Sequence, residues 1–284
     1  MTLPLASTIV GVREAVAKAQ AAGLRIGFVP TMGALHEGHA ALIRAAKADA
    51  GFVVVSIFVN PTQFGPKEDF SRYPRTLDAD CALSQAAGAD LVFAPSVEEM
   101  YPKGSSTFVE VPGLQDTLCD AYRPGHFRGV CTVVLKLFQI VRPDVAVFGA
   151  KDFQQSRIIQ RMVSDLNLPL TIHVEPTARE ADGLARSSRN RYLSPAERAA
   201  APAIYQALTA LREEVKRGSK NVQALERELS HRLAKIPDSR VDYARIVDAN
   251  FLSTIDSISG PAVAAVALFL GTTRLIDNIE LEPS

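Results

Sequence analysis

Apolar residues fall along this chain in two successive patterns. Residues 25–29, 52–59, 90–94, 145–149 and 170–174 are short, nearly continuous apolar runs. Runs that do not alternate with polar positions mark strands covered on both faces, as in a parallel sheet. Helical periodicity fills the gaps, at 12–22, 39–48, 77–87, 130–141 and 153–166. Gly23 and Gly88 stand just past two of these stretches, where a C-capping glycine belongs. The alternation predicts an α/β fold, a doubly wound parallel sheet that binds its ligands outside the carboxyl ends of the strands. After Asp182-Gly183 the pattern changes to two long helical stretches, 195–216 and 221–235, then strand-like runs at 242–247, 263–269 and 274–279. That predicts a smaller C-terminal α+β domain, with the chain divided as 1–177 and 178–284. Residues 60–75, rich in Pro, Gly and charge, read as a long loop leaving the second strand, a place where function concentrates.

Composition narrows the class. A chain of 284 residues fits two domains with a substantial core. A 47% apolar and 22% charged make-up is that of a globular protein. Lys and Arg total 31 against 31 for Asp and Glu, so the net charge is zero and a nucleic-acid partner gripped by counterion release is not expected. Cys81, Cys119 and Cys131 are odd in number and form no CxxC pair, which fits neither a disulfide framework nor a zinc ribbon. The first residues lack the basic start and long apolar stretch of a secretory signal, and the longest apolar run, 261–270, is short of the ~18–20 residues that cross a bilayer. The expectation is a soluble cytoplasmic protein with reduced thiols and no membrane partner.

Candidate chemistry begins at Pro30-Thr31-Met32-Gly33-Ala34-Leu35-His36-Glu37-Gly38-His39, between the first strand and a helix. Glycines permit the tight turn, and amides at a helix start attract a polyphosphate. His36 and His39, three apart, share a face of a first helical turn and could both donate to one phosphate group. A surface pair or a zinc pair would also read as HxxH, but HEGH is not HExxH and no third ligand cluster is evident. Neither a Walker A sequence nor GxGxxG occurs. A second segment, Arg186-Ser187-Ser188-Arg189-Asn190, follows Asp182-Gly183-Leu184 and suits a mobile loop closing on a triphosphate, although a solvated turn would look the same alone.

Further segments stand in one order along the chain: Phe58-Val59-Asn60-Pro61-Thr62-Gln63-Phe64, Tyr73-Pro74-Arg75-Thr76, Arg123-Pro124-Gly125-His126-Phe127-Arg128-Gly129-Val130, and Phe148-Gly149-Ala150-Lys151-Asp152-Phe153-Gln154-Gln155. With the histidine and serine segments, residues 23–190 closely resemble the pantothenate synthetase (pantoate:β-alanine ligase) family of Rossmann-like, HxGH-type nucleotidyl-transferring enzymes. The resemblance implies ATP-dependent condensation of pantoate with β-alanine through a pantoyl adenylate, releasing pyrophosphate and AMP, for coenzyme A synthesis. It implies His39, His36 and Lys151 as catalytic. Met32, Gly33, Ala34, Leu35, Glu37 and Gly38 would line the ATP site beside them, together with Gly149, Ala150, Asp152, Ala178, Arg186, Ser187, Ser188 and Arg189. Gln63, Gln155 and Asn60 would hold pantoate and β-alanine. Asp80 is a candidate ligand for the Mg²⁺ that accompanies ATP, or else an exposed helix carboxylate. Arg123 and His126 are site residues without an assigned role, and His126 also fits a capping or packing position. The family further implies a homodimer, and residues 178–284 are read as a lid.

Two positions depart from the family pattern: Arg186, where methionine is frequent, and Ala150, where an acidic or amide residue is common. Both are expected to change ATP affinity and leave the reaction intact. Three other readings compete. A simple nucleotidylyltransferase would not need the Gln63 and Gln155 pair. A tRNA-binding HxGH protein fits poorly with zero net charge, and an inactive homologue fits poorly with complete histidine and serine motifs.

Overall fold

The computed structural model describes residues 3–66, 68–114, 118–119 and 122–282. In chain order the elements are β1 (Leu5–Ala6), α1 (Ile9–Ala21), β2 (Ile26–Thr31), α2 (Glu37–Asp49), β3 (Phe52–Ile57), α3 (Leu77–Ala87), β4 (Leu91–Phe93), α4 (Val97–Met100), α5 (His126–Val141), β5 (Val145–Gly149), α6 (Phe153–Asp165) and β6 (Thr171–Glu175). Then come α7 (Pro195–Ala200), α8 (Ala203–Lys216), α9 (Val222–Ala234), β7 (Ser239–Asp248), β8 (Ala262–Leu270) and β9 (Thr273–Leu281). Two compact units emerge. One takes the described residues of 1–112, 123–150 and 158–176, the other those of 113–122, 151–157 and 177–284.

The first unit is a six-stranded sheet in the order β1-β4-β3-β2-β5-β6, parallel at every pairing. Phe28 and Val29 of β2 and Val53, Val54 and Val55 of β3 are fully buried, which is why these strands read as unbroken apolar runs. Strand order reverses between β2 and β5. At such a switch point the connections leave in opposite directions and open a crevice outside the carboxyl ends. Thr31 and Gly149 end those two strands, so the histidine loop and the Gly149-Ala150-Lys151 segment both begin there.

The second unit is an antiparallel sheet, β7-β8-β9, with α8 and α9 packed on one face. Ile204, Leu208, Leu211 and Val215 follow helical spacing on α8 and join Ala264, Val266 and Leu268 of β8 in one core. The 195–216 stretch, expected as one helix, is two. α7 ends at Ala200 and α8 starts at Ala203, because Pro202 lacks an amide proton and its ring crowds the preceding turn. β1 was not expected; two residues are too few to leave a periodic signal.

Candidate active site

The loop after β2 is held by protein donors and acceptors rather than left open. Thr31 Oγ1 donates to Ser56 O at 2.7 Å and accepts from Gly33 N at 3.1 Å. Gly33 and Ala34 both have positive φ, +82° and +52°, and this turn sets the successive amides of Ala34 and Leu35 in a concavity around one anion. A side chain at Gly33 would also bring a Cβ to 3.0 Å from Asp80 Oδ2. The anion in that concavity is Asp80 itself. Ala34 N donates to its Oδ2 at 3.0 Å, Leu35 N to its Oδ1 at 2.8 Å, and Thr76 Oγ1 to its Oδ1 at 3.1 Å. Asp80 is only 2% exposed, which overturns the exposed helix carboxylate expected as its alternative role.

His36 caps α2. Its Nδ1 accepts from Gly38 N at 3.1 Å, and His39 Nδ1 accepts from His36 N at 3.2 Å. An imidazole nitrogen that accepts carries no proton, so each neutral ring keeps its proton on Nε2. The two rings lie 4.2 Å apart between centroids, their planes tilted 45° to each other, and both carry the same tautomer. Cap formation also explains why α2 starts at Glu37, earlier than periodicity implied. The amides of Ala34 and Leu35 are bonded to Asp80, and those of His36 and Gly38 to the two histidines.

The loop after β3 is shaped by Asn60. Its side chain is 1% exposed. Nδ2 donates to Gln63 Oε1 at 3.0 Å and to Gly129 O at 3.1 Å, while Oδ1 accepts from Thr62 N, Thr62 Oγ1 and Tyr101 Oη. Burial pushes the Tyr101 phenol up, partly offset by its bond to Thr62, so it stays a donor. Gly129 lets α5 approach: a Cβ there would lie 2.4 Å from Thr62 O. Gln63, 8% exposed, donates from Nε2 to Met32 Sδ at 3.1 Å, which leaves its amide capacity for one further donor and one further acceptor bond. Arg123 grips Glu68 with two bonds of 2.6 Å, its Nη1 lies 3.1 Å from His126 Nε2, and His126 Nδ1 meets Gln63 O at 2.8 Å. Burial raises the Glu68 carboxyl, but the bonds and charge of Arg123 outweigh it and hold the group below its ordinary value.

In the second unit, Lys151 and Asp152 belong to a 3₁₀ turn over Ala150–Asp152, and Gln155 is half-buried on α6. Gln154 beside it is buried, accepting from Cys119 N and donating to Leu114 O. Residues 178–186 form a hairpin: Arg186 N donates to Ala178 O at 2.9 Å and Glu180 N to Leu184 O at 2.8 Å, with Gly183 at φ +92°. Ser187 Oγ caps the following 3₁₀ helix, Ser188–Tyr192, by accepting from Arg189 N. Asn190 Nδ2 donates back to Ala185 O.

Comparison with known proteins decides the family. A profile described as pantoate-beta-alanine ligase matches residues 5–280. The chain belongs to the pantoate-β-alanine ligase family. It is 53% identical over 280 residues to the pantothenate synthetase of Moorella thermoacetica, covering 99% of each chain. To that of Acidobacterium capsulatum it is 56% identical over 256 residues, covering 90% of this chain and 86% of the other. The crystal structure of pantothenate synthetase from Thermus thermophilus matches with a TM-score of 0.93 at 48% identity, covering 99% and 100% of the two chains. The pantoate-beta-alanine ligase of Francisella tularensis, complexed with beta-gamma ATP and beta-alanine, matches with a TM-score of 0.79 at 34% identity, covering 98% and 97%. The chain is thus an ATP-using ligase that joins pantoate to β-alanine.

Within this family member, the donor set around Asp80 does not fit a metal ligand. Three protein hydrogens already approach its two oxygens, and among the described residues no group of three or more His, Cys, Asp or Glu could hold a metal ion. Sequence reasoning missed Glu68, Tyr101, Arg179, Asp277 and Asn278. Only the last two left a trace, as an acid and an amide between the apolar pair Leu275-Ile276 and Ile279 of β9.

Proposed function

We propose that the chain makes pantothenate in two displacements at one site. A carboxylate oxygen of pantoate bonds to the α-phosphorus of ATP as the bond to pyrophosphate breaks. The neutral amine of β-alanine then attacks the acyl carbon, AMP departs with the former carboxylate oxygen, and the amine proton passes to solvent. The observation that carries this reading is the histidine pair: backbone amide bonds to Nδ1 of both rings leave Nε2 of each as the protonated nitrogen, with the rings 4.2 Å apart. His36 and His39 would donate to the oxygens that gain charge at the α-phosphate, and Lys151 would follow charge onto departing pyrophosphate. Gln63 and Gln155 would orient pantoate, with Asn60 acting through Gln63. Met32 to His39, Gly149 to Asp152, Ala178 and Arg186 to Arg189 would surround ATP.

Mg²⁺ would arrive on the ATP phosphates and neutralise them, with no step assigned to Asp80. Residues 178–284 would act as the lid, and the hairpin bonds of 178–186 support movement as a body. The reading extends to a cytoplasmic homodimer without a nucleic-acid partner. Zero net charge supports the absence of a nucleic-acid partner and three unpaired cysteines support a reducing compartment, while the homodimer rests on the family resemblance alone. No helix of the described residues is long and apolar enough to cross a membrane. The test is product analysis with pantoate carrying ¹⁸O in its carboxylate. AMP bearing one ¹⁸O, with pyrophosphate, is expected; ADP and phosphate would contradict the mechanism.

A further inference from the structure

Inside the second unit, two neighbouring residues of β9 reach two separate chain segments. Successive side chains of a strand point to opposite faces. Asp277 lies on the face of Leu275 and Ile279, toward α8, and is 4% exposed; Asn278 lies on the other face and is 7% exposed. Asp277 receives both arms of Arg179, at 2.7 and 2.9 Å, while the Arg179 guanidinium stacks 3.7 Å above the Tyr205 ring of α8 and donates to Gly183 O. That fixes the root of the hairpin leading to Ser187, Ser188 and Arg189. Asn278 Nδ2 donates to Lys151 O at 2.9 Å, while Asn278 N donates to Asp277 Oδ1 at 2.8 Å. A buried acid and a buried amide in a strand core are costly unless fully bonded, so this dipeptide is an expensive way to build a sheet.

We propose that Asn278 is a positioning residue for adenylation: by holding the Lys151 carbonyl it aims the lysine, and through Asp277 and Arg179 the same strand sets the serine segment to match. The proposal rests on the phosphate role given above to Lys151. The physical case is that a lysine ammonium swings on a four-carbon stem from a turn of three residues. Its aim therefore depends on whatever fixes the main chain beneath it.

The test is a double-mutant cycle on pantoate-dependent pyrophosphate exchange in the full-length protein. Asn278→Ala should lower kcat about tenfold and leave the KM for pantoate within about twofold. Introduced into Lys151→Met, the same change should cost less than about twofold, because its effect passes through the lysine. Asn278→Asp, of equal size but without the donor, should repeat the loss if the alanine variant does not fold. A full tenfold loss in the Lys151→Met background, a wild-type rate in Asn278→Ala, or failure of both variants to fold would overturn the positioning role. Wild-type exchange by Lys151→Met alone would instead remove the reading beneath it.

Discussion

The histidine loop and the Lys151 turn leave neighbouring strands of one sheet, yet they are supported in opposite ways. The histidine loop is braced largely by its own residues: His36 and His39 cap the helix that carries them. One buried carboxylate, Asp80 from α3, fills the concavity of the amides before them. The Lys151 turn is held by Asn278, far along the chain on an antiparallel strand, and the hairpin at Ala178 by the adjoining Asp277. A locally braced site is preorganised as soon as its helix forms. A remotely braced one depends on a second core being complete, and so can be altered by residues that touch no ligand.

The largest effect expected from breaking the local brace is at His39. His39→Ala removes one oriented donor, on the order of 3 kcal/mol or ~10² in rate, and a helix-end acceptor as well. Pyrophosphate exchange should fall by about that factor in a protein that remains folded by circular dichroism; unchanged exchange would take the histidines out of the reaction.

Asp80→Asn is next. The variant sets an amide NH₂ against donors that now face a carboxylate, at a cost of roughly 2 kcal/mol. A thermal midpoint several degrees lower is expected, at about 2–4 °C per kcal/mol for a domain of this size. Raising Mg²⁺ should not restore any lost activity. Recovery with Mg²⁺ would make Asp80 a metal ligand after all.

Much of this contrast follows from what a sequence can carry. The parallel strands were legible because burial on both faces leaves unbroken apolar runs, as in Val53, Val54 and Val55. The histidine loop was legible because its residues are contiguous. The acceptor at its amides was not legible, because nothing local announces that Asp80 turns toward Ala34 and Leu35 from α3. The bonds of Asn60 to Tyr101 and Gly129 were not legible for the same reason, since both partners are distant in sequence. Glu68 and Asn278 stood outside the reading altogether, since their partners Arg123 and Lys151 are distant in sequence.

A smaller effect should separate the two substrates. Gln63→Ala removes the amide that Asn60 and Met32 hold in place, and pantoate binding should weaken about tenfold while ATP binding stays within about twofold. Isothermal titration decides it, and equal losses for both ligands would place Gln63 elsewhere.

The smallest effect is pH-dependent. With its carboxyl held below its ordinary value of 4.5, Glu68 contributes stability that is complete above that value and lost as pH falls through its lowered folded value. Glu68→Gln should therefore be less stable than wild type at pH 7, and the gap should narrow on acidification toward pH 3, read by thermal melts. A gap that stayed constant with pH would show that the Arg123 pair contributes through packing alone.

The central claim, that this site activates pantoate before any amine arrives, is tested most directly by exchange of labelled pyrophosphate into ATP. With pantoate and Mg²⁺ but no β-alanine, label should enter ATP, and omission of pantoate should abolish it. Exchange that requires β-alanine, or that proceeds without pantoate, would contradict the account.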